Sequence, residues 1–388
     1  MQGSIVVTID WIWLVFIFAF GCCVGSFLNV VIYRLPRDQS LVSPASACPA
    51  CAKPIAFYDN IPLVSWLLLG RKCRYCKAPI SPRYFVIEML TGVVFTGLFI
   101  LYFRTDLRTG VPPFLRGGWF IYLLHIIMLA AFIAASAIDL KLWVIPVSIC
   151  WFVTAVGLIA SAVGVYIIEP NVIRNYGLLP SASAATASLA AGAVIGLAIS
   201  MTLVTTGLIK RSYESDREDL AHDLQESKKP QYNDRREIYK EIAFLLAIII
   251  CSLSVFLICR EIAPICKWWA DFSQRPVIAG LLGSLWGYFV GCGLVWATRI
   301  FGTIGFGREA MGLGDVHLMG AAGAVIGCGP VVVAFFIAPF FGLAWAGFQL
   351  FFKKIRQIPY GPFLSLGVLA VMILRERIFS RLVAIFYY

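Results

Sequence analysis

Long apolar runs, more than any single residue, decide what this chain can fold into. Stretches with almost no charge recur at 11–33, 84–103, 118–138, 143–168, 183–209, 242–259, 276–300, 330–352 and 360–376. A helix needs about 20 apolar residues to cross a bilayer core, and these runs cluster around that length. Inside hydrocarbon the backbone must satisfy its own polar groups, so such runs have to be helical. The composition agrees: 60% hydrophobic and 14% charged over 388 residues lies outside the balance of water-soluble domains. The expected fold is an all-α, polytopic transmembrane helix bundle with about eight to ten spans. A shorter apolar piece at 316–328 reads as part of a broken or tilted helix. The first run lacks the basic n-region of a secretory signal and is preceded by Asp10, so it reads as a retained span.

The charges orient these spans. The net charge of +11 invites a nucleic-acid reading, but in a membrane protein it belongs to basic cytoplasmic loops, so no nucleic-acid partner is expected. The stretch 34–83 carries Arg34, Arg37, Lys53, Arg71, Lys72, Arg74, Lys77 and Arg83 against Asp38 and Asp59. That excess puts the loop in the cytoplasm and the amino terminus outside. Counting spans from there, the turn at Asp139 and the loop at Asp315 both fall on the cytoplasmic side. The segment 210–241 mixes basic and acidic residues in similar number and reads as a solvated inserted hairpin, dispensable for chemistry. No internal repeat stands out along the chain.

Two acids interrupt the apolar text. Asp139 ends Ala137-Ile138-Asp139, and Asp315 ends Gly312-Leu313-Gly314-Asp315, each where a long apolar run meets a loop. A carboxylate beside a bilayer is costly, so it calls for a partner or a function. Two such acids on one face can divide acid and base work, which is the chemistry of an aspartyl protease. Helix caps and buried hydrogen-bonded acids are the alternative for the same residues. Glu88, just inside the second span, is a further costly acid, placed either to orient a peptide amine or to pair with Arg83.

The cysteines divide four and eight between a hydrophilic loop and apolar surroundings, out of 12. Cys48-Pro-Ala-Cys51 and Cys73-Arg-Tyr-Cys76 form two knuckles with 21 residues between them. Four thiolates at this spacing suit tetrahedral zinc. A complete ligand set leaves no open position for catalysis, so the expected zinc is structural, giving a small loop the core it lacks. Two disulfides are the rival arrangement, disfavoured in a reducing cytoplasm.

Taken in order, the motifs resemble those of the bacterial type IV prepilin peptidases, the GxGD aspartyl proteases that process prepilins. Gly25-Ser26-Phe27-Leu28-Asn29 through Arg34-Leu35-Pro36 is similar to their amino-terminal signature. The series continues with the paired knuckles, Asn60-Ile61-Pro62, and Ser81-Pro82-Arg83-Tyr84 through Glu88 and Thr91-Gly92. Asp139 with Ile145-Pro146, the GxGD at 312–315, and Ile358-Pro359-Tyr360-Gly361-Pro362-Phe363 complete it. The resemblance covers most of the chain outside about 205–275 and implies Asp139 and Asp315 as the catalytic pair. It implies cleavage of basic leaders between Gly and Phe in prepilin or pseudopilin precursors, at the cytoplasmic face of the bacterial inner membrane. It also implies methylation of the new amino terminus from S-adenosylmethionine. No glycine-rich nucleotide fingerprint locates that donor. Residues 1–117, holding the four-cysteine loop at 34–83, would form the amino-terminal domain. Residues 118–388 would form the peptidase domain, with an insertion and an extra span at about 205–275.

Three departures stand out. Val147 follows Ile145-Pro146 where many relatives carry an Asp, and His317 stands where Lys is usual. The imidazole could tune the acid pair or simply face a neighbouring helix. The chain between the two aspartates is also longer than the family pattern. A transporter or channel binding cations or protons at its membrane acids is the competing class, and membrane lipid is a partner in either case.

Overall fold

The computed structural model describes residues 2–105, 107–209, 234–352 and 359–387. Among them helices carry the architecture, and the only strand-like pairings are two isolated bridges, Ala47 with Pro54 and Lys72 with Pro79. Among the described residues eight helices are long and apolar enough to cross a membrane, so the expectation of a polytopic all-α chain is met. Most of the inserted segment, 210–233, lies outside the described residues, as does Ile358.

The helices divide into two compact units, Met1–Val153 with Val333–Tyr388, and Thr154–Val332. The first unit begins with α1, Gln2–Arg34. The cysteine loop follows and contains the short helix α2, Val64–Leu68. The chain then enters α3, Pro82–Phe103, and α4, Gly118–Leu142. Ser81 caps α3 by accepting the Arg83 N–H, with Pro82 at the first helical position. Buried aromatic packing joins α3 to α4: Phe99 meets Tyr122 edge-on at 5.8 Å, and the Tyr122 hydroxyl donates to the Phe95 carbonyl at 3.0 Å.

α5, Val147–Val163, leads into the second unit. There follow α6, Pro170–Tyr176, and α7, Ala184–Thr205, the latter opened by a capping box of Ser183 and Thr186. α8, Asp234–Glu261, turns large apolar side chains such as Leu246, Ile249, Ile250 and Leu253 outward. In a bilayer those side chains face lipid rather than water. α9, Ala263–Ser273, packs Trp269 inward, where its indole N–H donates to the Ala184 carbonyl at 2.9 Å. α10, Pro276–Phe306, lies against α11, Leu313–Ile326.

α11 is the core of the second unit. From Asp315 on, only His317 of this helix escapes full burial. Its 14 residues span about 21 Å, too short for a hydrocarbon layer of about 30 Å. The broken-helix expectation for this stretch therefore holds. Small residues let it sit close to α10, and the Ser284 hydroxyl donates to the Ala324 carbonyl at 2.6 Å. α12, Cys328–Phe352, returns to the first unit, which α13, Gly361–Tyr387, completes.

Candidate active site and metal centre

Asp139 sits in the last turn of α4, 6% exposed. Its Oδ2 accepts the Gly361 N–H at 3.0 Å, so the first residue of α13 holds the carboxylate. A carboxylate at a helix start meets unpaired N–H groups and the positive end of the helix dipole. Gly361 is required for this approach: a Cβ there would stand 2.7 Å from Asp139 Oδ2 and 2.8 Å from Ile145 Cδ1. Ser136 and Ser365 join the same two helices through their hydroxyls at 3.0 Å. After α4, Trp143 takes a left-handed conformation and its N–H closes on the Asp139 carbonyl at 2.9 Å, turning the chain toward Ile145-Pro146.

Asp315 lies in the first turn of α11, 8% exposed, with Gly312 as N-cap. Its N–H donates to the Gly312 carbonyl at 3.2 Å, which closes the turn that starts the helix. His317 faces α10, where its Nδ1 lies 3.2 Å from the Tyr288 hydroxyl. Asp139 and Asp315 belong to different units, and each site stands on its own geometry.

The four cysteines come together. One sulfur from each of Cys48, Cys51, Cys73 and Cys76 lies within 4.8 Å of the others. Cys48 Sγ and Cys76 Sγ are 3.8 Å apart, about the edge of a tetrahedron with 2.3 Å Zn–S bonds. No disulfide forms; all four are free thiols. The two knuckles are copies of one turn. Cys48 N–H donates to Lys53 O at 2.9 Å and Ala52 N–H to Cys48 O at 2.8 Å. At 25 residues' offset, Cys73 N–H donates to Ala78 O at 2.8 Å and Lys77 N–H to Cys73 O at 3.1 Å. Ala52 and Lys77 both have positive φ, 56° and 58°.

The sequence carries this repeat as Cys-x-x-Cys-x-x-Pro-Ile, at Cys48–Ile55 and again at Cys73–Ile80. The expectation of a chain without a repeat is corrected here, and the signal was present in the residues.

Charge at the cluster favours a bound cation. Backbone N–H groups of Cys76 and Tyr75 hold the Cys73 thiol down at about 6. At Cys76 the Ala78 N–H favours the thiolate, but burial and the crowded Cys51, Cys73 and Cys48 sulfurs push the thiol up to about 11. One thiolate forms readily and the next is resisted, a conflict that a divalent cation removes. Around the cluster, Arg74 grips Asp59 with two bonds of 2.7 and 2.6 Å, holding that carboxyl below the usual range. Trp66 packs against Phe85 with ring centres 4.8 Å apart and planes tilted by 33°, tying the loop to α3.

Glu88 is corrected in its partner. It does not pair with Arg83; its Oε2 accepts the Leu63 N–H at 2.8 Å, and Ser26 bonds to the same side chain. Leu63 has φ of 61°, a costly conformation for a branched side chain, and the buried Glu88 helps to hold it. Between α1 and the loop a cleft of about 370 Å³ opens, lined by residues that include Ser26, Phe27, Arg34, Asn60 and Pro62.

Sequence reading also missed the acids at the start of α8. The stretch taken as a solvated hairpin ends in ordered helix, where Glu237 and Glu241 are buried. Glu237 pairs with Lys240 at 2.7 Å, and Glu241 pairs with Arg299 at 3.0 Å.

Comparison with known proteins gives one match located in the amino-terminal part and several to curated proteins. Residues 19–102 match the family described as the Bacterial Peptidase A24 N-terminal domain. The chain is 46% identical over 135 residues to the prepilin leader peptidase/N-methyltransferase of Myxococcus xanthus (strain DK1622), covering 34% of this chain and 36% of that protein. It is 40% identical over 141 residues to the protein of the same name from Klebsiella pneumoniae, covering 35% and 56%. It is 39% identical over 159 residues to the type 4 prepilin-like proteins leader peptide-processing enzyme of Escherichia coli O78:H11 (strain H10407 / ETEC), covering 36% and 54%. The chain thus spans between about a third and just over half of these curated relatives. No solved structure matches it.

Proposed function

We propose that this chain is a membrane-embedded aspartyl endopeptidase that removes basic leaders from type IV prepilin-like precursors at a Gly-Phe bond. The observation that carries this reading is one of burial. Among the described residues the buried aspartates are Asp139 and Asp315, the two acids the sequence singles out. Three glutamates are buried as well, on the Leu63 N–H for Glu88, Lys240 for Glu237 and Arg299 for Glu241, and Asp139 accepts the Gly361 N–H. One aspartate as carboxylate takes a proton from water, while the protonated partner polarises the scissile carbonyl. In this reading the 34–83 loop is cytoplasmic, and counting alternate crossings from it puts both acids on the side where precursors await export.

In this reading residues 1–117 form the amino-terminal domain and 118–388 the peptidase domain. Cys48, Cys51, Cys73 and Cys76 hold one structural zinc, which supplies a fixed scaffold for the loop and no reaction step. The names of the relatives support N-methylation of the new amino terminus, with S-adenosylmethionine as donor. The bilayer is the bacterial inner membrane.

The test uses membranes containing the full chain and a synthetic precursor with a basic leader and a Gly-Phe junction. Mass spectrometry should find the released leader, and a methylated Phe terminus once S-adenosylmethionine is added. An intact precursor would refute the peptidase reading, and proton or cation flux in its place would favour a transporter.

A further inference from the structure

The residues leading into Asp315 are held from behind by a buried cation. α10 ends at Phe306, and residues 307–312 turn back before α11 begins. Arg299, 1% exposed, donates from Nη1 to the Met311 carbonyl and to Glu309 Oε1. Its Nε and Nη2 donate to the carboxylate of Glu241 at 3.0–3.1 Å. Glu241 is 3% exposed and also accepts the Trp296 indole N–H at 2.8 Å. Thr303, one turn beyond Arg299 on the same stripe, accepts the Ala310 N–H at 3.2 Å.

Arg299 and Thr303 thus fix residues 309–311, immediately before the N-cap Gly312. A guanidinium suits this task because its rigid fork of five donors can serve several partners at once. Buried there, it needs a buried counter-charge, and Glu241 supplies one. Glu241 lies in α8, within the stretch between the two aspartates that the resemblance to the prepilin peptidases implies is an insertion.

We propose that Arg299 is a positioning residue for the Gly312–Asp315 turn, and that the inserted helix α8 supports this turn by supplying Glu241. The proposal rests on the reading of Asp315 as a catalytic group. It also narrows what can be removed: a linker may replace 210–233, but not the helix from Glu237 onward.

The test compares full-length, membrane-inserted Arg299→Lys with the neutral pair Arg299→Met/Glu241→Met. Lys keeps the charge but loses the fork, and the neutral pair leaves no unpaired buried charge that would prevent folding. Two quantities are read: kcat and KM for leader cleavage, and the thiol-labelling rate of Leu313→Cys in each background, located by peptide mass spectrometry. Leu313 is 38% exposed, so its labelling reports the turn without requiring activity. In both variants kcat should fall about 100-fold, with KM within about threefold and labelling changed by more than about threefold. Unchanged labelling overturns the proposal whatever the activity, and so does changed labelling with kcat within about threefold of the parent. A parent that cleaves no precursor defeats the function proposed above instead, and labelling alone then decides the clamp.

Discussion

Asp139 and Asp315 occupy opposite ends of their helices, and the difference shows how one side chain can be supported in two ways. Asp315 is in the first turn of α11, where a helix welcomes negative charge, and its turn closes locally on Gly312. Asp139 is in the last turn of α4, the end of a helix that disfavours an anion. Its support comes from Gly361, 222 residues away, at the start of α13. Around Asp315 the backbone closes on its own N-cap, with Arg299 bonded to the Met311 carbonyl just before it, whereas the Asp139 carboxylate accepts a tertiary hydrogen bond that exists only when α4 and α13 are packed.

Adding a methyl group beside each acid breaks this comparison most sharply. Gly361→Ala forces a Cβ to 2.7 Å from Asp139 Oδ2, so the acid or the helix start must move. Leader cleavage should fall about 100-fold, the usual scale for a reacting group displaced by about 1 Å. Gly312→Ala brings its Cβ only to 3.5 Å from Asp315 Oδ2, an ordinary contact at a backbone angle any residue adopts. Its cleavage should stay within about threefold of the parent, as expected when no transition-state contact is lost. A large loss at Gly312 would show that substrate backbone, rather than the turn, needs the missing side chain.

The metal should separate scaffold from chemistry. The purified chain should carry one zinc, and Cys73→Ser or a strong chelator should remove it. The loop should then become protease-sensitive and methylation should be lost, while peptide cleavage stays within about one order of magnitude, or about 1.4 kcal/mol of barrier. Metal-free protein prepared under reducing, chelator-free conditions would contradict the assignment.

The smallest effect belongs to the Asp59–Arg74 pair within the loop. The folded carboxyl titrates below its ordinary value of about 4, so its contribution is complete above that pH and is lost as pH falls through the folded value. Asp59→Asn should flatten this acid limb in a pH series of loop proteolysis and leave cleavage at neutral pH unchanged.

Much of this was legible from residues because the bilayer imposes strict rules. Apolar length gave eight of the nine candidate spans, all but 360–376, and the spacing of Cys48, Cys51, Cys73 and Cys76 gave the cluster, since both are local in sequence. The 25-residue repeat was present in the text but is masked by the different residues between its fixed positions. Glu241 escaped notice because it stands in a run of mixed charge, and only the fold shows that Arg299, 58 positions away, draws it inside. Glu88 was marked by its cost, but its partner, the Leu63 N–H, is a backbone group that no side-chain pattern announces. Gly361 appeared as part of a motif; its hold on Asp139 is a distance that the sequence does not contain.

The central claim is that both acids perform leader cleavage, and conservative removal of each tests it most directly. Asp139→Asn and Asp315→Asn keep size and polarity but lose the ability to exchange a proton. Each variant, inserted at parental levels, should lose cleavage of a Gly-Phe precursor by about 10⁴-fold, the upper range for a positioned acid or base. Substantial cleavage by either variant would contradict the account.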